Sequence, residues 1–166
     1  SLDPYMRGRM NARESYAPPV ALDAVMVGGT VSKVVNSRNR NFAPGDLVTA
    51  YAGWQDYAVL KGKHVTKLGK APAGEPITYL MSIYGVAGLT AYFGLLECGQ
   101  PKAGETVVVS AAAGSVGSIV GQIAKIKGCR TVGIAGGAAK CELLTRELGF
   151  DAAVDYKNED VGTALD

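Results

Sequence analysis

Two glycines, Gly114 and Gly117, stand between a β-branched run and an apolar helical stretch. The run Thr106–Val109 is apolar on both faces, which is typical of a central parallel strand. After the glycines, apolar residues recur at roughly helical spacing until Gly128. A helix that begins at such a turn attracts phosphate through its free N–H groups and its dipole. The spacing therefore predicts a pyrophosphate site, where Gly114 admits the phosphates and Gly117 lets helix and strand pack closely.

The glycine turn departs from the usual G-x-G-x-x-G pattern at its first position, which is Ala112 here. Glycine and alanine also serve plain close packing, so a purely structural turn is the alternative to a nucleotide site. A second strand candidate follows the helix at residues 131–135. The order strand, turn, helix, strand favours nucleotide binding, because it is the first βαβ unit of a dinucleotide-binding fold.

The end of the second strand, residues 133–137, carries no acidic residue. NAD-binding enzymes usually place Asp or Glu there to accept hydrogen bonds from the ribose. Lys140 follows within one turn, where a positive charge opposes the dipole at the start of a helix. It is either an ordinary helix lysine or a residue that meets an anionic ligand. We favour the ligand, and the pattern predicts an adenosine 2′-phosphate and hence NADPH.

The composition is typical of a soluble globular protein: of 166 residues, 48% are hydrophobic and 19% are charged. A net charge of +2 gives no reason to expect nucleic acid or an acidic membrane as a partner. No apolar run approaches the roughly 18 residues of a membrane span, and no secretory signal opens the chain. The three cysteines show no metal-type pairing, so we expect reduced thiols in a cytoplasmic protein.

The first part of the chain, residues 1–75, is expected to be a β-rich domain. Its strand candidates are short and are separated by glycine and proline turns, which predicts a small antiparallel barrel. They lie at residues 31–35, 47–51, 57–60 and 65–68. The stretch Ala-Pro-Ala-Gly-Glu-Pro at residues 71–76 is the predicted domain boundary.

The second part, residues 76–166, is expected to be a Rossmann-type domain with alternating strands and helices. Further helices are predicted at residues 79–86, 89–97 and 140–148, and a third strand ends at Val154. A doubly wound sheet normally has more than three strands, so both termini are expected to be cuts through a longer protein. The predicted fold class is α/β with a β-rich domain: a small antiparallel barrel followed by a truncated, doubly wound parallel sheet.

Four motifs carry a resemblance to a known family. They are Leu-Asp-Pro-Tyr-Met-Arg-Gly-Arg-Met at 2–10, Gly-Leu-Thr-Ala-Tyr at 88–92, Ala-Ala-Ala-Gly-Ser-Val-Gly at 111–117 and Gly-Phe-Asp at 149–151. The sequence resembles the zinc-independent medium-chain dehydrogenases/reductases, and within them the NADPH-dependent alkenal, curcumin and prostaglandin reductases. The resemblance implies a GroES-like barrel, a Rossmann domain and a homodimer. This chain would cover most of the barrel and the first half of the cofactor domain.

The resemblance implies a catalytic role for Tyr5. Pro4 and Tyr5 match a pair that lies near the nicotinamide and the substrate. The intact enzyme would move a hydride from NADPH to the β-carbon of an α,β-unsaturated ketone or aldehyde. Negative charge then develops on the carbonyl oxygen, which needs a hydrogen-bond donor, and Tyr5 is the candidate. From its spacing alone, Tyr5 would be an ordinary surface or strand tyrosine.

The resemblance implies cofactor contacts as well. Thr90 lies in a Gly-x-Thr-Ala stretch that passes the nicotinamide in related dehydrogenases, and Lys140 and Tyr156 match residues that hold the adenosine 2′-phosphate. One departure stands at residues 83–88, where this chain has Ile-Tyr-Gly-Val-Ala-Gly and the group often has Gly-Met-Pro-Gly. The implied cofactor-binding set is Pro4, Tyr5, Thr90, Gly114, Ser115, Val116, Gly117, Lys140 and Tyr156.

Zinc-dependent relatives need Cys, His or Glu ligands in the barrel. Here the corresponding stretch, residues 24–29, is Ala-Val-Met-Val-Gly-Gly, and no cysteine precedes Cys98. We therefore expect no bound metal. The only histidine, His64, is expected to face solvent and to have no catalytic role.

Two alternatives to a double-bond reductase stay open at this point. One is a quinone oxidoreductase of the same fold, and the other is a protein that binds NADPH without turnover. A polypeptide that really ended at Asp166 would expose an unpaired sheet edge and lack half of the nicotinamide site. We expect such a fragment to fold marginally and to show little turnover.

Overall fold

The computed structural model describes residues 2–69 and 74–166. The chain divides into two compact units, Ser1–Met81 and Ser82–Asp166. The predicted domains, 1–75 and 76–166, divide it a few residues earlier. Part of the predicted boundary stretch, residues 71–73, lies outside the described residues.

An antiparallel sheet organises the first unit, and its strands are β1 (Thr30–Lys33), β2 (Leu47–Ala50) and β3 (Val65–Lys67). The central strand β2 pairs antiparallel with both neighbours. A short helix, α1 (Met6–Arg9), precedes the sheet and buries Met6. The polar sequence between β1 and β2 ends in a turn at Gly45, whose φ of +93° suits glycine.

Two predicted elements around this sheet are wrong. Residues 57–60 form no strand, and their side chains are exposed, Val59 completely so. Strand propensity reflects packing on a pleated surface, so β-branched residues without a neighbouring strand gain little from it. The helix predicted at 79–86 is also absent, because Ile77–Leu80 form a single 3₁₀ turn and Gly85 is extended.

A parallel sheet organises the second unit, and its strands are β4 (Thr106–Val109), β5 (Arg130–Ala135) and β6 (Ala152–Asp155). Their order is β4-β5-β6, and Val132 of the central strand lies opposite Val108 on one side and Ala152 on the other. The runs are apolar on both faces, as buried parallel strands require.

Four helices accompany the parallel sheet: α2 (Val86–Phe93), α3 (Ser115–Ile126), α4 (Ala138–Glu142) and α5 (Val161–Leu165). The longest, α3, connects β4 to β5 and ends just before Gly128, whose φ is +81°. Both α2 and α4 continue as wider π-type turns, Gly94–Gly99 and Leu143–Glu147. The βαβ unit and the helix predicted after β5 are therefore present.

The core of the second unit forms around Phe150, which is only 4% exposed. A Cβ added at Gly121 of α3 would lie 1.9 Å from the Phe150 ring, and one at Gly133 of β5 would lie 2.7 Å from Leu144. Both glycines leave the space that the ring and the fully buried Leu144 occupy. Burying a side chain of this size contributes roughly 1.5–3 kcal/mol to the free energy of unfolding. The small residues in α3 and β5 therefore stabilise the core by making room for these side chains.

The predicted fold class is confirmed: an antiparallel β unit is followed by a Rossmann-type βαβαβ arrangement. In the described part of the first unit the antiparallel sheet has three strands. No helix within residues 2–69 and 74–166 is both long and apolar enough to cross a membrane.

Candidate functional site

Close backbone packing builds the turn between β4 and α3. A Cβ added at Gly117 would lie 2.5 Å from the carbonyl oxygen of Ala111 and 2.8 Å from the Cα of Ala112. Such distances leave no room for any side chain, so α3 begins directly against the end of the strand. Ala111 itself has a φ of +47°, in the left-handed region that non-glycine residues rarely adopt.

The N-terminus of α3 is open. Gly114 is its N-cap residue, with extended backbone angles, and no side chain caps the helix. Both Gly114 and Ser115 are exposed. The first N–H groups of a helix have no intrahelical partner, so those at Ser115, Val116 and Gly117 of this 12-residue helix lie at the positive end of its dipole. This turn can hold an anionic group such as a pyrophosphate.

Ala112 occupies the first glycine position of the usual pattern. It is fully buried, and its N–H donates to the carbonyl of Ile134 at 3.1 Å. A Cβ at Gly133 would lie 2.9 Å from the Ala112 Cβ. Alanine therefore fits this position because the neighbouring strand makes room for its methyl group at Gly133.

The end of β5 lies beneath a tyrosine. A Cβ added at Gly136 would lie 2.7 Å from the hydroxyl oxygen and 2.8 Å from the Cζ of Tyr156. Tyr156 follows β6, its backbone N–H donates to the Ala135 carbonyl at 3.1 Å, and its side chain is 56% exposed. The tyrosine thus takes the space that an acidic side chain at the strand end would need. This arrangement favours a 2′-phosphate, because no carboxylate at residue 136 would repel it.

Lys140 lies one turn beyond the end of β5, in the short helix α4 that packs against both β5 and β6. Its side chain is exposed, and within the described part of the chain its ammonium forms no ion pair. The structure therefore brings Gly136, Tyr156 and the helix that carries Lys140 to one edge of the sheet. A neutral hydroxyl and a free cation at this edge suit a phosphate ligand.

Asp155 lies at the edge of the candidate site and was missed by the sequence reasoning. It is only 6% exposed and accepts hydrogen bonds from the N–H of Gly137 at 2.7 Å and from the side chain of Asn158 at 2.7 Å. These donors, first the Gly137 N–H, hold the pKa of the Asp155 carboxyl below its usual value. The carboxylate fixes the left-handed turn at Gly137 that starts α4. The signal that could have identified Asp155 from the sequence was its position at the end of the third strand.

Tyr5 lies at the N-terminus of α1 and is 36% exposed. Its hydroxyl is hydrogen bonded to the hydroxyl of Tyr51, which follows β2 and is 62% exposed. The hydrogen bond to Tyr51, together with partial burial and the nearby Asp3 carboxylate, raises the pKa of Tyr5 well above its usual value. Tyr5 is therefore a neutral phenol that can donate a hydrogen bond. Nothing in the sequence pattern pointed to Tyr51 as its partner.

Pro4 and Thr90, the remaining members of the predicted set, are both exposed. The Pro4 carbonyl accepts the Arg7 N–H at 3.1 Å at the start of α1, and the Thr90 hydroxyl donates to the Val86 carbonyl at 2.7 Å within α2. Near Thr90, a Cβ at Gly88 would lie only 1.7 Å from the Ile83 carbonyl oxygen, so this segment requires glycine. Pro4 and Tyr5 belong to the first unit, and Thr90 and the turn residues belong to the second.

Candidate metal ligands do not come together in the part of the chain that the structure describes, where no three His, Cys, Asp or Glu side chains form a group. The three cysteines are unpaired: Cys98 is exposed, Cys129 is buried and Cys141 is half-buried. Desolvation by burial, followed by the Asp155 and Glu159 charges, raises the pKa of the Cys141 thiol. It is therefore a poor nucleophile.

The known proteins to which this chain is similar include NADPH-dependent reductases. Residues 1–68 match a family model described as the N-terminal domain of oxidoreductase. Over 165 residues the chain is 53% identical to the NADPH-dependent curcumin reductase of Escherichia coli K12, covering 99% of this chain and 47% of that protein. It is 44% identical to the 2-alkenal reductase (NADP(+)-dependent) of Nicotiana tabacum, covering 99% of this chain and 48% of that protein.

A solved structure is similar along the same length. It is the crystal structure of CurA from Vibrio vulnificus in complex with NADPH, which matches with a TM-score of 0.84 and 53% identity over 99% of this chain and 48% of that one. The chain thus spans about half the length of the curated relatives it matches.

Proposed function

The chain belongs to the medium-chain dehydrogenases/reductases, in the group that includes the curcumin and alkenal reductases, and from that membership we propose an activity for the whole protein. The protein reduces the carbon–carbon double bond of α,β-unsaturated ketones or aldehydes with NADPH. The double-bond chemistry is proposed from the similarity to the curcumin and alkenal reductases. The observation that carries the choice of NADPH is the acid-free end of β5, where Tyr156 lies over Gly136 and Lys140 follows in α4.

The residues at the open turn and at the β5 end would hold the cofactor. The N–H groups of Ser115, Val116 and Gly117 would bind the pyrophosphate, and Lys140 and Tyr156 would bind the 2′-phosphate. When bound, NADPH supplies the hydride that adds to the β-carbon of the substrate. The full proposed set, which also serves the nicotinamide end, is Pro4, Tyr5, Thr90, Gly114, Ser115, Val116, Gly117, Lys140 and Tyr156.

Tyr5 is the proposed catalytic residue. As hydride adds to the β-carbon, the π electrons move toward the carbonyl and negative charge grows on its oxygen. A phenol whose pKa is raised stays protonated and can donate a hydrogen bond to that oxygen. This hydrogen bond stabilises the enolate. The α-carbon then takes a proton from water or from a tyrosine, and the product is the saturated ketone or aldehyde.

We propose domains at 1–75 and 76–166, a homodimeric assembly and a cytoplasmic location. The unpaired state of all three cysteines supports a reducing compartment. Light scattering of the whole protein after size-exclusion chromatography tests the assembly, and a mass of one or four chains would contradict it.

Catalysis is proposed to be independent of metal. The stretch that carries ligands in zinc-dependent relatives has only Ala, Val, Met and Gly side chains here, and none of these holds zinc. Elemental analysis of the purified whole protein should show no stoichiometric zinc, and a chelator should leave turnover unchanged. Stoichiometric zinc together with loss of activity in chelator would refute this prediction.

The proposed function is tested with a substrate panel. NADPH absorbance is followed with the whole protein in the presence of an enal, an enone and a quinone, and the saturated product is identified by mass. Reduction of the enal or enone with loss of the double bond is expected. Turnover of the quinone alone would favour the quinone oxidoreductase alternative, and NADPH binding without any turnover would favour a non-catalytic protein. Tyr5→Phe should lower kcat far more than it weakens NADPH binding, because it removes the proposed donor hydroxyl and keeps the ring.

A further inference from the structure

Two phenols from distant parts of the sequence meet in the first unit. Tyr5 is held at the start of α1, where its carbonyl accepts the Gly8 N–H at 3.1 Å, and Tyr51 directly follows the central strand β2. Their hydroxyl groups are hydrogen bonded to each other. Tyr51 is the more exposed of the two, at 62% against 36%. The pairing places a polar partner on the oxygen of the residue that is proposed to act on the substrate.

Either hydroxyl can donate in this pair, and the direction depends on what else Tyr5 bonds. Each hydroxyl has one hydrogen and two lone pairs, so Tyr5 can donate to only one acceptor at a time. When the Tyr5 hydrogen is given to a substrate oxygen, the Tyr5 oxygen is left to accept from Tyr51. Hydrogen bonds in such a chain polarise one another, and the effect grows as charge develops on the terminal oxygen. A Tyr5 without this partner would be a weaker and less fixed donor.

From this geometry we propose that Tyr51 is a positioning residue for the reduction: once a substrate is bound, its hydroxyl donates to the Tyr5 hydroxyl and directs the Tyr5 hydrogen to the carbonyl oxygen of the substrate. The inference rests on the proposed function, since it assigns a residue to that same site. Asp3 is the other titratable group that faces Tyr5, and it too favours the neutral phenol. In the free protein both neighbours favour the protonated Tyr5 as acceptors of its hydrogen. Once that hydrogen is given to a substrate, only Tyr51 has a hydrogen to donate to Tyr5.

The test is a double-mutant cycle on the whole protein with Tyr51→Phe, Tyr5→Phe and the double variant. Phenylalanine keeps the ring and removes only the hydroxyl. We expect Tyr51→Phe to lower kcat for an enone by about three- to tenfold, as the loss of one hydrogen bond implies, with the KM for NADPH unchanged. In the Tyr5→Phe background, Tyr51→Phe should have no further effect on kcat. The matched control is Tyr16→Phe, because Tyr16 is 82% exposed and its ring, not its hydroxyl, contacts Arg9.

A second readout does not depend on activity. With ¹³C-labelled tyrosine, the titration of Tyr5 is followed by NMR in the free protein, where Tyr5 is the donor and Tyr51 the acceptor. This hydrogen bond is the main cause of the raised pKa of Tyr5, so the pKa should be lower in Tyr51→Phe than in the wild type. An unchanged pKa, an unchanged kcat, or an equal loss in both backgrounds would overturn the role of Tyr51. If the wild type reduces no enone, the proposed function fails and the assignment of Tyr51 to it fails too. The NMR result then still decides whether the two hydroxyls are bonded in solution.

Discussion

At the scale of single residues, we expect Lys140 to determine the choice between the two nicotinamide cofactors. Its exposed ammonium has no ion-pair partner in the residues that the structure describes. Strand β5 ends without an acidic residue, and the Asp155 carboxylate at the end of β6 is buried against the Gly137 N–H. Charge-assisted hydrogen bonds to a 2′-phosphate are among the strong ones. We predict a preference for NADPH over NADH of about 1.5–3 kcal/mol, or roughly ten- to a hundredfold.

Lys140→Ala should remove most of this preference by raising the KM for NADPH and leaving the KM for NADH nearly unchanged. Paired kinetics of the whole protein with both cofactors measure it. Lys127→Ala is the control, because Lys127 is also exposed but lies at the opposite end of α3 from the glycine turn. Equal use of NADH by the wild type, or an unchanged ratio in Lys140→Ala, contradicts the assignment.

At the scale of elements, the fit between α3 and β4 depends on Gly117. A Cβ at this position would collide with the backbone of residues 111 and 112, which cannot move as a side chain can. Overpacking of this kind costs roughly 1–3 kcal/mol. Gly117→Ala should therefore lower the urea midpoint of the whole protein and weaken NADPH binding by shifting the helix N-terminus.

Gly94→Ala is the matched control for Gly117→Ala. Gly94 also lies in a helical segment, with a φ of −60°, but nothing lies within 4 Å of an added Cβ there. Alanine in a helix is more stable than glycine by roughly 0.5–1 kcal/mol, so Gly94→Ala should leave the protein as stable as the wild type or slightly more so. Equal destabilisation by both changes would show that close packing at residue 117 is not the cause.

Asp151 connects three elements of the second unit. Its carboxylate bonds the Lys125 ammonium of α3 at 2.6 Å and accepts the N–H of Thr131 in β5 at 2.7 Å, just before β6 begins. These contacts, first the one with Lys125, lower the pKa of Asp151 to about 2. An unfolded aspartate has a pKa of about 3.9, so the folded state binds the proton more weakly. The stabilisation is complete above that value and is lost as the pH falls toward 2.

Asp151→Asn should lower the urea midpoint at neutral pH and flatten its dependence on pH between about 4 and 2. Unfolding by urea at a series of pH values measures both effects. Asp56→Asn serves as the control, since Asp56 is exposed in a loop of the first unit. A wild-type pH profile in Asp151→Asn would mean that the carboxylate does not contribute through its ionised form.

The elements that the sequence predicted well are those in which local pattern and fold agree. The unit β4-α3-β5 has β-branched strands, a glycine turn and helical periodicity in register, so its position follows from the residues alone. The stretch at 57–60 has the right residue types for a strand but no partner strand in the structure. Propensity cannot report the presence of a neighbour, which is why this prediction was wrong.

The candidate site was predictable to a similar extent. Glycines at a helix start and a missing acid are visible in one sequence, because each has a local physical reason. Asp155 and Tyr51 were not visible: the first acts through the backbone of Gly137, and the second through a hydroxyl 46 residues away in sequence. Contacts between distant segments require the fold to be known.

At the scale of the whole molecule, the strand order leaves β4 with a partner on one side only among the described residues. Val108 of β4 is 46% exposed. The face of the sheet on which Val108 lies carries an open groove of about 360 Å³, which is lined by Val108, Val132, Val154 and Leu165 among others. Parallel strands are normally covered on both faces. The curated relatives that the chain matches are about twice its length.

We predict that residues 1–166 produced alone fold marginally, associate through this face and show little or no turnover, whereas the whole protein is active. An unpaired edge with exposed valine is a template for pairing with another chain. Thermal unfolding by circular dichroism, light scattering and NADPH oxidation compare the two polypeptides at equal concentration. Val108→Lys tests this surface directly. It should reduce association of the short polypeptide, because a charge on an edge strand disfavours pairing with another chain. It should destabilise the whole protein, where we expect further sequence to cover residue 108. Full reductase activity from a verified 166-residue polypeptide would show that the parallel sheet of three strands is sufficient.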